Sequence, residues 1–410
     1  MKFLIISQYS GAPNLGMVSR NYQWASEFIR QGHDCTIVAA SYSHYRHKNP
    51  KLAEFNSKKQ VLEGIEYCWI KTPVYSGDSS IGRLISIFKF QLGLGYFFLK
   101  SKRDYEVIIV SSPHPFQIFQ AYFFSRKCNA KLIFDIRDLW PLTLIKIGGL
   151  SKNHPVIRAL FYAESFALQR ADLVTAVPQN CKRYLKSRGM LSSKFLHIGN
   201  GYNYDTSSTG TRLDKYLEEK LSKIKNKSAK LIGYCGTLGL ANAMHIPIEA
   251  LAETENINIH LIVLGNGRKK EELKSRVKEL NIEKRVHFFE PVPFKQVQSF
   301  LAKVDVVYAG GLNSFLYKYG CSLTKINDYM AASKPIIYAI GDPGNPVEIS
   351  GCGISCQPEN SSQIAKAMDI LCGMPKTKLD LIGKKGMDWL NNNQTIEIQI
   401  KKILSRLYYS

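Results

Sequence analysis

The most telling features of this sequence are ones it lacks. Its nine cysteines form no Cys-x-x-Cys pair, and their spacing is scattered. That excludes a zinc ribbon or a disulfide framework. Several sit in apolar runs and read as small core residues of a protein held in a reducing cytosol. No uncharged apolar run reaches the ~18 residues a membrane-spanning helix needs. The opening MKFLIISQYSGAP is too short in its apolar part for a signal peptide and reads as a buried first strand. The first loop has Gly11 and Gly16 but no Gly-x-Gly-x-x-Gly, which argues against a dinucleotide oxidoreductase. Acidic residues are also scarce, 33 against 55 Lys plus Arg. The excess is uneven: residues 1–200 carry 27 basic and 12 acidic side chains, a net of +15, and the remainder carries 28 and 21, a net of +7. A basic first half expects an anionic partner such as membrane headgroups or a phosphorylated acceptor. A nucleic-acid partner is not expected, because no recognised module is present and aromatics do not interleave with the charge.

Short β-type apolar runs alternate with helical spacing along all 410 residues. KFLIIS (2–7), a helix over 17–31 with Trp24, Ala25 and Phe28 on one side, and CTIVAA (35–40) make a first βαβ unit. Strands are also expected at 106–112, 131–136 and 172–177. A second series is expected at 230–236, 259–265, 285–290, 305–310 and 334–340, with helices at 268–280, 295–303 and 325–332. The Gly-, Asn- and Ser/Thr-rich stretch 197–210 has no apolar period and reads as the hinge. We therefore expect an α/β protein of two Rossmann-like domains facing a cleft. Residues 1–203 form the first, 204–389 the second, and a helix over about 390–410 packs back on the first.

In open α/β sheets, ligands bind beyond the carboxyl ends of strands. Five such places hold chemically suggestive residues. In GYCGTLGLANAM (233–244), Gly236 and Gly239 follow a strand and bring bare backbone N–H groups toward an anion; a plain tight turn is the alternative. In LGNGRKKEEL (264–273), Arg268, Lys269 and Lys270 open a helix after Gly265 and Gly267. Positive charge in a first turn opposes the helix dipole and asks for a compensating anion, unless it is simply solvated. In YKYGCSLTKINDYMAASKPIIYA (317–339), Ser322, Leu323 and Thr324 lead into a helix carrying Lys325 and Asp328. That suits a pyrophosphate and a ribose, against the alternative of an ordinary capped helix. In FDIRDLWP (134–141), Asp135, Arg137 and Asp138 cluster at a strand end, either as a site or as a buried Arg–Asp pair. His114, in SSPHPF (111–116), is a general-base candidate or an exposed loop residue.

Taken in order, RDLWP (137–141), ADLVTAVPQN (171–180), HIGNGYN (197–203), GYCGTLGLA (233–241), LGNGRKKEEL (264–273) and YGCSLTKINDYMAASKPII (319–337) resemble the family-4 glycosyltransferases. The likeness is to a bacterial polysaccharide branch related to N-acetylfucosamine transferases. It implies the GT-B fold, a nucleotide held by the second domain, retention of anomeric configuration, and no metal or other cofactor. The sequence also has no Asp-x-Asp motif. The family's Glu, seven residues, Glu hallmark is replaced here by Gly320 and Asp328. By resemblance, Lys325 and Arg268 neutralise the leaving diphosphate, Asp328 binds ribose, and Gly236 to Gly239 with Leu323 and Thr324 touch phosphate. Gly16, Gly267, Lys269 and Ser322 complete the expected nucleotide-contacting set. Asp138 and Arg137 face the cleft from the first domain, where the acceptor is expected, and His114, a further catalytic candidate, stands where the family often has SPP. The expected donor is a UDP-sugar, and the acceptor a polyprenyl-diphosphate-linked sugar in capsule or O-antigen synthesis. A nucleotide-sugar 2-epimerase of the same fold and a non-enzymatic nucleic-acid binder are the competing readings.

The segment IGRLISIFKFQLGLGYFFLKSKR (81–103) bears on location. It is dense in Leu, Ile, Phe and Tyr between Leu84 and Leu99, with Arg83 before it and Lys100, Lys102 and Arg103 after. It reads as a helix docking on the anionic inner face of the cytoplasmic membrane, or else as a core helix.

Overall fold

The computed structural model describes the chain except residues 53–56, 76–80, 102–103, 147, 206–210, 226–227, 322 and 409–410. Ser322, Lys102 and Arg103, and the end of the expected hinge, fall outside the described residues. The chain divides into two compact units, Met1–Asn200 with Ile396–Ser410, and Gly201–Thr395.

The first unit is built on an eight-stranded sheet. Its strands are β1 (Lys2–Ile6), β2 (Asp34–Ala40), β3 (Ser57–Leu62), β4 (Ile65–Ile70), β5 (Val107–Ser111), β6 (Lys131–Ile136), β7 (Leu173–Ala176) and β8 (Phe195–His197). The spatial order is β3-β4-β2-β1-β5-β6-β7-β8, parallel throughout except β3 against β4. The parallel strands are near-continuous apolar runs because helices cover both faces. On one face lie Arg20–Arg30 and the C-terminal helix Ile396–Tyr408, with Trp24, Phe28, Ile400 and Ile403 fully buried. Phe28 stacks on Phe3 of β1 at 4.0 Å. Ile81–Lys100, Ile118–Cys128 and Pro155–Arg170 pack on one another and against β4, β5 and β6. The β3–β4 hairpin has no counterpart in the sequence reading. Its two turn residues, Glu63 (φ 51°) and Gly64 (φ 79°), both take the left-handed conformation that joins twisted strands through a two-residue loop.

The second unit has a six-stranded parallel sheet ordered β11-β10-β9-β12-β13-β14. The strands are β9 (Lys230–Cys235), β10 (Ile259–Leu264), β11 (Val286–Phe289), β12 (Val306–Gly310), β13 (Ile336–Ala339) and β14 (Gly353–Ser355). Helices His245–Glu253, Lys270–Glu279, Val297–Lys303 and Thr324–Ala331 connect successive strands. In each sheet one central strand is flanked by neighbours reached in opposite directions: β1 between β2 and β5, and β9 between β10 and β12. The carboxyl ends of those strands are where open sheets leave a ligand crevice.

The buried Arg–Asp pair considered for 134–141 exists, with a different arginine. Asp135, at 0% exposure, pairs with Arg20 at 3.3 Å, not with Arg137. It also accepts from Ser111 Oγ (2.9 Å) and Thr175 Oγ1 (2.8 Å), so one carboxylate ties β5, β6 and β7 to the helix Arg20–Arg30. Arg20 in turn donates to the carbonyls of Ile198 (3.0 Å) and Gly199 just past β8. Removing one partner leaves the other as an uncompensated buried charge. We therefore expect Asp135→Ala to lose ~3–5 kcal/mol of stability, read as a lower midpoint in chemical denaturation; a loss under ~1 kcal/mol would contradict this role.

Candidate functional site

The second unit's site is assembled where β9, β10 and the helix Thr324–Ala331 meet. β9 ends into Gly236, whose φ of 152° is one that residues with side chains rarely adopt. The loop after β9 and the loop after β10 are zipped together: Gly236 N–H donates to Leu264 O (3.0 Å), Leu238 N–H to Asn266 O (2.9 Å), and Lys269 N–H to Leu238 O (3.0 Å). The glycines are required by this approach. A Cβ on Gly265 would fall on the Gly236 carbonyl, and one on Gly267 would strike the Leu238 backbone. Of Gly236 and Gly239, expected to bring bare amides toward an anion, Gly236 has its N–H already engaged, and so does Gly267, expected among the nucleotide contacts. The Gly236 N–H is used by Leu264, and the Gly267 N–H donates to Asn266 Oδ1 at 2.8 Å. Gly239 leads into the 3-10 turn Leu240–Asn242.

Lys325 occupies the space that glycine leaves. A Cβ on Gly236 would lie 2.9 Å from its Nζ. The half-buried ammonium donates to Tyr234 Oη (3.1 Å) and Asn242 Oδ1 (3.3 Å), and sits 4.2 Å from the Tyr234 ring centroid. The Tyr234 hydroxyl donates onward to Thr237 O (2.8 Å), leaving its lone pairs for the lysine. No carboxylate pairs with Lys325 among the described residues, and burial pushes its pKa down to about 8. One turn on, half-buried Asp328 likewise has no cationic partner among the described residues, and burial pushes its carboxyl up to about 7. The residue before this helix, Leu323, has no side-chain acceptor and so does not cap the first-turn amides. Partly buried groups of both signs without oppositely charged partners among the described residues, at a helix N-terminus that Leu323 does not cap, mark a place that expects an anion and hydroxyl groups. Thr324 is exposed at the helix start.

The basic run 268–270 is mostly compensated from within. Lys269 pairs with Glu272 (2.6 Å) and Lys270 with Glu290 (2.5 Å). Arg268 is exposed and has no ion-pair partner among the described residues, so of the three it is the one open to an outside anion. Asp342 was not picked out from sequence. It is buried, accepts from Tyr338 Oη (2.7 Å) and Cys321 N–H (3.1 Å), and so anchors the segment leading into the Lys325 helix. Burial pushes its pKa up to about 6. Its one sequence signal is GDPGNP (341–346), a turn-rich stretch just past a strand end.

The first unit's candidates separate. Asp138 is exposed beyond β6, its carbonyl accepting from Trp140 N–H (2.9 Å). His114 is not an exposed loop residue. It is buried at 1% exposure beyond β5, with Nε2 2.6 Å from Gln8 Oε1, and burial pushes its pKa down to about 3. Gly16 closes a 3-10 turn at φ 70°, its N–H committed to Pro13 O (2.9 Å), so it offers no donor to a phosphate.

A family model for glycosyl transferases group 1 matches residues 217–386, and a model for glycosyltransferase family 4 matches residues 16–206. The chain belongs to the family-4 glycosyltransferases. A search of curated proteins gives no match. Among solved structures, the chain is similar to Anabaena Alr3699/HepE in complex with UDP and glucose, at 15% identity and TM-score 0.67, with all of both chains covered. It is also similar to trehalose-6-phosphate synthase OtsA, at 12% identity and TM-score 0.71, covering 100% of this chain and 99% of that one. A third is WaaG, a glycosyltransferase involved in lipopolysaccharide biosynthesis, at 12% identity and TM-score 0.64, covering 97% and 98%. These establish the GT-B fold. In this glycosyltransferase the Lys325 site lies within the group 1 match, and Asp138 and His114 within the family-4 match.

Proposed function

We propose that this glycosyltransferase transfers a sugar from a UDP-sugar to a lipid-linked acceptor at a membrane surface, with retention and without a metal. The observation that carries the donor side is Lys325, a half-buried ammonium with no carboxylate partner among the described residues, set in the first turn of the helix Thr324–Ala331. A diphosphate supplies two negative groups there, and Arg268 adds a second cation from the β10 loop. Asp328 takes the ribose hydroxyls, which donate to a carboxylate. Cationic charge fixed before the reaction stabilises the diphosphate as it departs, usually the largest single term in such sites. UDP in particular is supported by the ligands of HepE, solved with UDP and with UDP-glucose. Metal independence rests on the cations the chain itself brings to the diphosphate and on the missing Asp-x-Asp. Retention rests on the family resemblance. Of the competing readings, the 2-epimerase is distinguished by releasing UDP without an acceptor.

On this reading Lys325→Ala lowers kcat by ~10²–10³, because its charge is matched to one that grows in the transition state. Asp328→Ala raises the donor KM more than it lowers kcat, since ribose contacts are equal in ground and transition states. Initial-rate kinetics by UDP release, with and without EDTA, decide the matter. Wild-type kinetics in both variants, or activity lost to EDTA and restored by Mn²⁺, would refute the assignment.

The acceptor side rests on the helix Ile81–Lys100. No helix among the described residues is long and apolar enough to cross a membrane. This helix has two apolar faces, one buried as in a core helix and one exposed. Ile87, Phe90, Leu94 and Phe98 are buried, whereas Leu84, Ile85, Phe88, Leu92, Tyr96 and Leu99 are exposed, Phe88 at 62% and Leu99 at 82%. Exposed Phe123 and Tyr162 lie on the two helices of the same layer. A helical stripe of large apolar side chains with Arg83, Lys89 and Lys100 on the same helix suits an anionic bilayer surface. Vesicle co-sedimentation should require anionic lipid, weaken with salt, and fall by on the order of 10² in Phe88→Ser/Leu92→Ser, since each buried side chain contributes ~1.5–3 kcal/mol. Equal binding to neutral vesicles, or none to either, would sink the membrane role.

A further inference from the structure

At the switch point of the first unit's sheet, between β1 and β5, two buried side chains are locked together. Gln8 lies just past β1 and His114 just past β5, each at 1% exposure, with Gln8 Oε1 2.6 Å from His114 Nε2. The amide's other end, Nε2, donates to Ser86 Oγ at 3.3 Å. Ser86 is on the buried face of Ile81–Lys100, the helix whose opposite face carries the apolar stripe. A carbonyl oxygen only accepts, so this arrangement places the imidazole proton on Nε2 and leaves a lone pair on Nδ1. Nδ1 is buried and has no hydrogen-bond partner in the protein. An unmade hydrogen bond of this kind is costly. The ring sits among Phe116 (5.9 Å), Tyr9 (6.2 Å) and Trp140 (6.3 Å), with the Arg83 guanidinium over the Tyr9 and Trp140 rings. Deprotonated Nδ1 is thus an acceptor in an aromatic setting, suited to one hydroxyl of a saccharide.

We infer that Gln8 is a positioning residue: it fixes His114 in the Nε2–H tautomer, presents Nδ1 to a hydroxyl of the acceptor, and through Ser86 couples that presentation to the helix Ile81–Lys100. Burial keeps the imidazole neutral in this role, which a cation could not perform. The hydroxyl part of the inference rests on the transferase reading; the tautomer part stands on the geometry alone. The reversed amide, with Gln8 donating to a bare Nε2, would put the proton on Nδ1 and turn the free nitrogen into a donor.

Imidazole ¹⁵N NMR of the full chain labelled in histidine, with the His114 signals assigned from His114→Asn, separates these cases. The expected wild-type spectrum has His114 neutral at pH 7 with Nε2 protonated and Nδ1 bare. In Gln8→Met it becomes a mixture of tautomers, and in Ser86→Ala the Nε2–H is retained but exchanges faster. Turnover of Gln8→Met should fall about 10-fold in kcat, the scale of one lost neutral hydrogen bond, with the donor KM held within about twofold. Nδ1–H in the wild type overturns the inference whether or not the variants fold, as does an unchanged tautomer in Gln8→Met. A shifted tautomer with unchanged kcat removes the role toward the acceptor. A wild-type protein that transfers no sugar would count against the transferase reading, and the tautomer spectra would still decide the Gln8 lock.

Discussion

On the proposed reading, the donor side of this glycosyltransferase depends on one unfavourable arrangement: a half-buried lysine ammonium with no carboxylate paired to it among the described residues. Lys325 is held by a phenol oxygen, an amide oxygen and the face of an aromatic ring, all neutral. Neutral ligands compensate only part of the lost hydration, which is why burial draws its pKa down to about 8. The surrounding structure exists to keep it there. Gly236 leaves the space, Gly265 and Gly267 let two loops close against each other, and Asp342 anchors the segment that leads into the lysine's helix. On the proposed reading an anion completes this site, and it is stabilised more there than at a solvated surface lysine.

The first unit solves the opposite problem. Its central charges are fully compensated: Asp135 takes a guanidinium and two hydroxyls, and Arg20 spends its remaining donors on carbonyls beyond β8. That knot fixes the strand ends from which Asp138, His114 and Gln8 project. One unit thus holds its polar core closed, while the other leaves a charge open, as expected if the first supplies a rigid frame and the second binds the more highly charged ligand.

The architecture was legible from the sequence because buried parallel strands are short apolar runs bounded by turn residues. β6 was read to the residue at 131–136, and most others within one or two. The hairpin β3–β4 was missed because Ser57–Leu62, SKKQVL, lies at the sheet edge and is largely polar. Lys325, Asp328 and the helix N-terminus were visible as a motif. What they touch was not, because Tyr234, Asn242 and Asp342 come from distant strand ends. Glycines were ambiguous in a consistent way. Sequence shows that Gly16, Gly236 and Gly267 lack a side chain but not whether the space is filled by a ligand or by another stretch of backbone, and here it is filled from within. Charge runs were similarly ambiguous, since the partners of Lys269 and Lys270 are Glu272 on the same helix and Glu290 on the next strand's far side.

The open charge on Lys325 has a thermodynamic signature that no wiring of a crowded assay can imitate. If a diphosphate completes the site, binding must raise the lysine's pKa and draw a proton from solution. Calorimetric titration with UDP at pH 8, in buffers of different ionisation enthalpy, should record uptake of about half a proton per UDP bound, and the uptake should disappear in Lys325→Arg, whose guanidinium is already charged. Binding with no proton uptake, or the same uptake in both proteins, would contradict the account.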